Sequence, residues 1–265
     1  MDNIGFIGTG NMGYAMLKGA LLSVAPEKIG ITDRSFEKAG GIAEKTGVRH
    51  FASNADCVKS SKYIIFSIKP QVYENVVNEI REYIDESKII ISLAPNISVD
   101  TLIGMFGKKV RIVRLMPNTP ALVGEGMTGY CYDDGLFDEK EKEFLEEFFN
   151  SFGRAVKVSE KLMSSVVCAS GSSPAYVFLF IEALADSVVK YGMSRDDAYK
   201  FVAQTVLGSA KMVLESGEHP GVLKDRVCSP GGTTIRAVEQ LEEHGFRKAL
   251  FKATEACYNK CENKD

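Results

Sequence analysis

The sequence predicts an α/β protein whose first part forms a sheet rich in parallel strands and whose second part is all helical. Short runs of β-branched residues alternate with amphipathic stretches as far as residue 158, which is the pattern of βαβ units. From residue 159 onward the strand pattern vanishes and helical patterns follow one another. A glycine-rich segment lies between the first strand-like and the first helix-like run. We therefore expect two domains, residues 1–158 and 159–265.

The strands of the first domain are predicted where apolar runs are suited to burial on both faces. These runs are residues 3–7, 28–32, 63–67, 88–93 and 110–115. Amphipathic helices are predicted between them, over residues 12–23, 35–46, 72–84 and 99–106. A turn-rich piece, 123–135, leads into an acidic helix over 138–152, and a strand over 155–158 closes the domain.

The second domain is predicted to consist of helices over residues 174–190, 195–215, 233–244 and 246–263. Ser173 before Pro174 is a favourable start for the first of them. That helix is apolar on nearly every face and must be covered all round. Few other helices are available to cover it, so we predict that this domain forms a homodimer. The alternative is a central helix covered within one bundle.

Composition bounds the function. The chain has 265 residues, of which 45% are hydrophobic and 25% charged, and its net charge is −3. The negative charge argues against a nucleic-acid partner, because neutralising phosphates requires an excess of Lys and Arg. With no run of eighteen apolar residues and no leader pattern, we expect a cytoplasmic protein without a membrane span. The six cysteines lack metal-site spacing, so we expect reduced thiols and no metal.

The segment from Gly8 to Gly13 has the GxGxxG pattern directly after a strand and at the start of a helix. Gly8 allows a tight turn, Gly10 lets the backbone approach a pyrophosphate, and Gly13 lets helix and strand pack closely. A Rossmann-like dinucleotide site is the prediction, with a ligand-free turn or another nucleotide as alternatives. Further on, Asp33 favours the ribose hydroxyls of NADH, whereas Arg34 favours the 2′-phosphate of NADPH, so this pair leaves the choice open.

Several segments together resemble the pyrroline-5-carboxylate reductase family, in the family's order, and the resemblance spans nearly the whole chain. It implies a Rossmann-like domain, an all-α dimerisation domain that interlocks with its partner, and often larger rings of dimers. It also implies hydride transfer from NAD(P)H to the C=N bond of 1-pyrroline-5-carboxylate, giving L-proline. The matching segments are 8–13, 67–71, 114–120, 170–176 and, most specific of all, 223–234.

The resemblance also implies site residues. NADPH, or NADH, would be held by Phe6, Ile7, Gly8, Thr9, Gly10, Asn11, Met12, Gly13, Arg34, Ser35, Asn54, Ser67, Ile68, Lys69, Pro70, Leu93, Ala94 and Pro95. The substrate would be held by Asn118, Ser229, Gly231, Gly232, Thr233 and Thr234, with Thr234 as the catalytic residue. Residues 93–96 depart from the family's usual alanine-alanine-glycine turn, which leaves the contacts of that turn open.

The segment from Ser229 to Thr234 is suited to a substrate site, because two glycines before a helix start leave backbone N–H groups for a carboxylate. The alternative for this segment is an ordinary capped helix after a proline turn. A protonated imine is already electrophilic, so positioning is the main task of the protein. Two alternatives remain. One is a reductase of the β-hydroxyacid dehydrogenase type, which would need a catalytic lysine such as Lys190 or Lys211, and the other is a non-catalytic NAD(P) sensor.

Overall fold

The computed structural model describes residues 3–262 and 264. Contacts divide the chain into two compact units, Met1–Ser172 with Tyr258–Asp265, and Ser173–Cys257. We call them the sheet unit and the helical unit. The sheet unit extends beyond residue 158 because Met163 and Val167 are buried in it. The domain boundary at residue 158 stays a prediction.

The sheet unit is built on one sheet, which has eight strands in the part of the chain described. They are β1 (Ile4–Ile7), β2 (Ile29–Thr32), β3 (Arg49–His50), β4 (Tyr63–Phe66), β5 (Ile89–Ser92), β6 (Arg111–Met116), β7 (Gly126–Cys131) and β8 (Gly153–Lys157). Their order is β3-β2-β1-β4-β5-β6-β7-β8. Neighbouring strands are parallel except for β6 and β7, which are antiparallel. The predicted Rossmann-like, parallel-rich sheet is confirmed.

Helices cover both faces of this sheet, which explains why its central strands are apolar throughout. Within β4, Tyr63 and Ile65 belong to one hydrophobic cluster and Ile64 and Phe66 to another, as the alternation of side chains along a strand requires. The helices of this unit are α1 (Asn11–Ala20), α2 (Phe36–Thr46), α3 (Asn54–Lys59), α4 (Tyr73–Ile80), α5 (Val99–Phe106), α6 (Glu139–Asn150) and the short α7 (Met163–Val166).

Polar side chains fix where several of these helices begin. The hydroxyls of Ser35, Ser53 and Ser98 each accept a bond from the third backbone N–H beyond them, which caps α2, α3 and α5. Asp138 and Glu141 form a reciprocal capping box at the start of α6. In contrast, α1 begins after Gly10, and no side chain among the described residues caps it.

The turn-rich interpretation of residues 123–135 was wrong over Gly126–Cys131, which form β7. Its glycines are there for close packing. A Cβ atom on Gly126 would lie 2.7 Å from the carbonyl oxygen of Phe152, and one on Gly129 would lie 2.6 Å from Val166. Glycines that suggest turns in a sequence here let a strand approach its neighbours.

The helical unit contains α8 (Ser173–Val189), α9 (Arg195–Ser216), α10 (Pro220–Val227), α11 (Thr233–Glu243) and most of α12 (Phe246–Cys261). The four predicted helices are confirmed, although Asn263, the predicted end of the last one, lies outside the described residues. His219 and Pro220 lie outside the four predicted helices and start the additional short helix α10. The ring Nδ1 of His219 accepts a hydrogen bond from the Gly221 amide at 3.0 Å.

An apolar surface is left uncovered on this unit. In α8 only Ala185 is buried, while Phe178 is 62% and Leu179 65% exposed. The alternative of a helix covered within one chain therefore does not hold. By length and composition alone, the helical stretch Glu160–Val189 is a candidate to cross a membrane, the one found among the described residues.

Candidate nucleotide and substrate site

A cleft of about 1040 Å³ opens at the carboxyl ends of the central strands. It lies where β1 and β4 are neighbours and their connections leave in opposite directions, which is the place where open α/β sheets bind ligands. Its walls come from the segments after β1, β2, β3, β4 and β5, from α4, and from Met116 and Pro117 at the end of β6.

The glycine-rich turn after β1 has the geometry that a nucleotide needs. Gly8 has φ +95°, and a Cβ atom there would lie 2.4 Å from the carbonyl oxygen of Ser67. A Cβ atom on Gly13 would lie 2.5 Å from the carbonyl oxygen of Gly8. A Cβ atom on Gly10 would meet no described atom within 4 Å, and this residue lines the cleft. The turn is therefore packed tightly at Gly8 and Gly13 and open at Gly10, where a phosphate group fits.

The N-terminus of α1 supplies the electrostatics. Because Gly10 is its N-cap and no described side chain occupies its first-turn amides, these N–H groups are available to an anion. The helix dipole adds positive potential at the same end. A pyrophosphate placed against Gly10 would meet both effects.

The end of β2 carries the charged groups. Arg34 is exposed and lines the cleft together with Lys38 and Asn54. Asp33 points to the glycine-rich turn, since its Oδ2 accepts bonds from the backbone N and the Oγ1 of Thr9, both at 2.7 Å. Burial pushes the pKa of Asp33 upward, but the bonds from Thr9 and Ser35 and the charge of Lys38 outweigh it, so its pKa is lowered. Asp33 is therefore a carboxylate.

The turns after β4 and β5 form the other end of the cleft. Tyr73 donates to the carbonyl oxygen of Phe66 at 3.2 Å, and its hydroxyl lies 3.1 Å from the Oγ of Ser92, so it ties the two strand ends together. Burial raises the pKa of Tyr73 to about 12, which keeps it a neutral phenol. The carbonyl oxygen of Pro95 accepts a bond from Arg114 at 2.9 Å. These bonds hold both turns in place.

The structure brings most of the predicted nucleotide residues together. Those lining the cleft are Ile7, Gly8, Gly10, Asn11, Met12, Arg34, Asn54, Ser67, Ile68, Lys69, Pro70 and Leu93. Those outside its lining are Phe6, Thr9, Gly13 and Ala94, which are buried, and Ser35 and Pro95, which are exposed.

Sequence reasoning missed several lining residues, which lie at the ends of β2 and β6, after β3, on α2, and in or just before α4. Lys38 could have been predicted as a lining residue, because it lies in the first turn of α2, close in sequence to Asp33. The other lining residues not assigned from the sequence are Thr32, Ala52, Ser53, Val72, Asn75, Val76, Glu79, Met116 and Pro117. Asp33, which the sequence analysis considered for the ribose hydroxyls, also lines the cleft.

The predicted substrate segment lies in the helical unit. Gly231 has φ +70°, and the amide of Gly232 donates to the carbonyl oxygen of Ser229 at 3.0 Å, which closes the turn before α11. Gly232 is the N-cap of α11, and no side chain among the described residues caps it. Thr233 is exposed and Thr234 is half-buried in the first turn. The arrangement suits a carboxylate.

Asn118, the remaining predicted substrate residue, lies in the sheet unit and is 7% exposed. Its Nδ2 donates to the carbonyl oxygen of Ser170 at 3.0 Å, and its Oδ1 accepts from the amide of Met127 at 2.8 Å. These bonds compete with a substrate role, which stays a prediction. Within residues 3–262 and 264, no group of three or more metal-ligating side chains occurs.

Two family models match the chain. Residues 160–264 match pyrroline-5-carboxylate reductase dimerisation, and residues 3–96 match the NADP oxidoreductase, coenzyme F420-dependent family. The chain is 45% identical over 98% of its length to pyrroline-5-carboxylate reductase of Escherichia coli, of which the match covers 97%. It is 40% identical over 96% of its length to the Arabidopsis thaliana enzyme of the same name, of which 92% is covered.

Solved structures agree with these matches. A pyrroline-5-carboxylate reductase from Coxiella burnetii superposes with a TM-score of 0.91 at 33% identity, covering 99% of this chain and 98% of that one. A Plasmodium falciparum pyrroline carboxylate reductase with NADP bound gives 0.88 at 34% identity, covering 99% and 97%. This chain, an α/β protein with a glycine-rich cleft and a helical dimerisation domain, belongs to the pyrroline-5-carboxylate reductase family.

Proposed function

We propose that this protein reduces 1-pyrroline-5-carboxylate to L-proline with NADPH, and with NADH as a second cofactor. The observation that carries the proposal is the full-length match to reductases of this name, together with a cleft built to receive a dinucleotide. The same match supports this activity over a β-hydroxyacid dehydrogenase type of reductase and over a non-catalytic sensor.

The sheet unit binds the cofactor. The open backbone at Gly10 and the first-turn amides of α1 bind the pyrophosphate, and Arg34 binds the 2′-phosphate of NADPH by charge. The turns after β4 and β5, which Tyr73 and Arg114 hold in place, receive the nicotinamide end. When bound, the cofactor supplies the hydride that adds to the C=N carbon.

The helical unit binds the substrate. The turn from Ser229 to Gly232 and the uncapped first turn of α11 hold the carboxylate through backbone N–H groups. The hydroxyl of Thr234 lies in the same first turn and hydrogen-bonds the ring nitrogen. The ring nitrogen carries a proton as an iminium and keeps it as an amine, so Thr234 orients the C=N bond rather than changing its own charge.

Assembly follows from the dimerisation domain. The exposed apolar side chains of α8 are covered by a second copy of the chain, and such dimers associate further into a ring. Because a second copy of the chain covers the apolar surface of α8, that surface does not need lipid. We therefore assign the protein to the cytoplasm rather than to a membrane.

The test follows NADPH absorbance with purified protein and 1-pyrroline-5-carboxylate, and then with NADH. Proline-forming oxidation supports the proposal, whereas a folded protein that binds nucleotide without oxidising it contradicts the proposal. Thr234→Ala is expected to lower kcat with a smaller effect on nucleotide affinity. Thr46→Ala is the control, because the hydroxyl of Thr46 donates to the carbonyl oxygen of Ile42 within α2. A Thr234→Ala protein that lost nucleotide affinity instead would contradict the role of Thr234.

A further inference from the structure

Asp33 stands at the end of β2, where an acidic residue in a dinucleotide site ordinarily accepts the ribose hydroxyls. Here three donors already converge on its two oxygens. Thr9 supplies its amide and its hydroxyl to Oδ2, each at 2.7 Å, and the amide of Ser35 donates to Oδ1 at 3.0 Å. Three of the roughly four acceptor sites of this carboxylate are therefore occupied by the protein itself.

Thr9 is held from a second direction by Lys38. The Nζ of Lys38 donates to the carbonyl oxygen of Thr9 at 2.7 Å and lies 3.9 Å from Asp33 Oδ2. Thr9 is only 2% exposed, although it lies in the turn that faces the cleft. Its backbone N–H, its carbonyl oxygen and its hydroxyl are thus all fixed by Asp33, which follows β2, and by Lys38, which lies in the first turn of α2.

The position of Thr9 explains why such fixing matters. It lies between Gly8 and Gly10, and glycines restrain the backbone least of all residues. A turn that must present its amides to a pyrophosphate gains affinity when its conformation is set before binding. We infer that Asp33 is a positioning residue, which with Lys38 fixes Thr9 and the pyrophosphate turn, and that it is not the acceptor of the ribose hydroxyls. The inference rests on the proposed nucleotide binding and deepens it.

Asp33→Asn distinguishes the two roles. An amide has one acceptor atom, so its NH₂ group would face a donor from Thr9 or Ser35 and the turn would loosen. We expect Kd to rise about tenfold for NADPH and NADH alike, with their ratio changed less than about threefold. The Kd of 2′-AMP, which has no pyrophosphate, should change less than about threefold. Weaker NADH binding with unchanged or tighter NADPH binding would overturn the inference, because a ribose acceptor acts that way.

Thr9 provides an independent pair of variants in case Asp33→Asn does not fold. Thr9→Val removes the hydroxyl at nearly constant shape, and Thr9→Ser keeps it. We expect Thr9→Val to weaken both nucleotides and Thr9→Ser to restore binding. If Asp33 is instead a ribose acceptor, Thr9→Val releases its Oδ2 and strengthens NADH binding, which also overturns the inference. These measurements need no substrate, so they are separate from the turnover assay that tests the proposed function.

Discussion

Gly10 and Gly13 lie in the same turn but have opposite surroundings. Gly13 is packed against the carbonyl oxygen of Gly8 and the side chain of Ser67, whereas Gly10 faces open space in the cleft. Gly10 also has φ −63°, a value that any residue adopts. The packing of the fold therefore requires glycine at position 13, whereas the ligand requires it at position 10.

Gly10→Ala is expected to leave the Tm of the nucleotide-free protein unchanged, because the new methyl group meets no protein atom. The same methyl group would occupy the space of the pyrophosphate, so NADPH affinity should fall at least about tenfold. Gly13→Ala is the counterpart and should lower Tm by several degrees, since its Cβ would lie 2.5 Å from a backbone oxygen. A Gly10→Ala protein that binds NADPH normally would exclude this turn as the pyrophosphate site.

For single residues, the sequence predicted a role correctly where that role depends on backbone conformation and the lack of a side chain. The glycine spacing predicted the turn correctly because only glycine fits at Gly8 and Gly13. The sequence could not show where a side chain points. Asp33 and Arg34 left the cofactor open, and only the structure reveals that Asp33 is bonded to Thr9. Likewise, nothing in the sequence indicates that the amide of Asn118 is engaged with Ser170 and Met127.

Among the secondary-structure elements, Glu160 joins three segments of the sheet unit. Its Oε1 accepts from Arg114 at 2.8 Å and from the amide of Val99 at 2.9 Å, and Arg114 in turn holds Pro95. Glu160→Ala would leave the Arg114 side chain, only 9% exposed, without its counter-charge. We expect the free energy of unfolding to fall by about 2 kcal/mol, less than for a fully buried pair because Glu160 is partly exposed. Urea unfolding of the two proteins measures it.

Glu139→Ala is the matched control, since Glu139 pairs with Lys142 at 2.7 Å but is 82% exposed. Its effect should lie within about 0.5 kcal/mol. Equal effects of the two substitutions would mean that the bonds of Glu160 to Arg114 and Val99 stabilise the fold no more than a surface ion pair does.

We expect Glu141 to make the stability of the sheet unit depend on pH. Its carboxylate is buried and lies 2.7 Å from Arg111 of β6 and 3.0 Å from Lys62, which directly precedes β4. Burial pushes its pKa upward, but the bonds from Arg111 and Lys62 outweigh it, so the pKa is lowered. Because the pKa is lower in the folded state, this stabilisation is complete above the unfolded-state pKa and is lost as pH falls through the folded-state pKa.

Glu141→Gln provides the measurement for this dependence. We expect the wild type to exceed the variant in Tm at about neutral pH, with the difference shrinking as the protein is acidified below the ordinary range of glutamate. A difference that stays constant on acidification would show that Glu141 stabilises the fold by its shape and not by its charge.

Strands and helices could be predicted from the sequence where their pattern of apolar residues is regular. The central strands are apolar on both faces and the helices between them are amphipathic, so both could be predicted from the sequence. Two elements without such a regular pattern could not be predicted. Gly126–Cys131 resembles a turn because close packing demands its glycines, and Pro220–Val227 is a short helix whose only start signals are His219 and Pro220.

For the whole molecule, the two units differ in how well one chain can bury them. Among the described residues, large clusters of buried hydrophobic side chains lie in the sheet unit, whereas the cluster around Ala185, Ala198 and Val202 in the helical unit is small. The large apolar side chains of the helical unit are mostly exposed, including Phe178 and Phe201 at 62% and 65%. Burial of so few side chains cannot offset the conformational entropy that is lost when five helices form. We therefore expect this unit to be stable only when a second chain covers its apolar surface.

This coupling predicts that Tm rises with protein concentration, since association stabilises only the folded chains. Phe178→Glu should shift the protein toward monomers and lower Tm, because the charge would be buried without a partner in the dimer. Sedimentation velocity and thermal unfolding over a range of concentrations measure both effects. Leu22→Glu is the control, as Leu22 is 78% exposed in the sheet unit and should change neither. A wild-type protein that sediments as a monomer with a concentration-independent Tm would contradict the prediction and would leave the apolar surface of α8 in need of another cover.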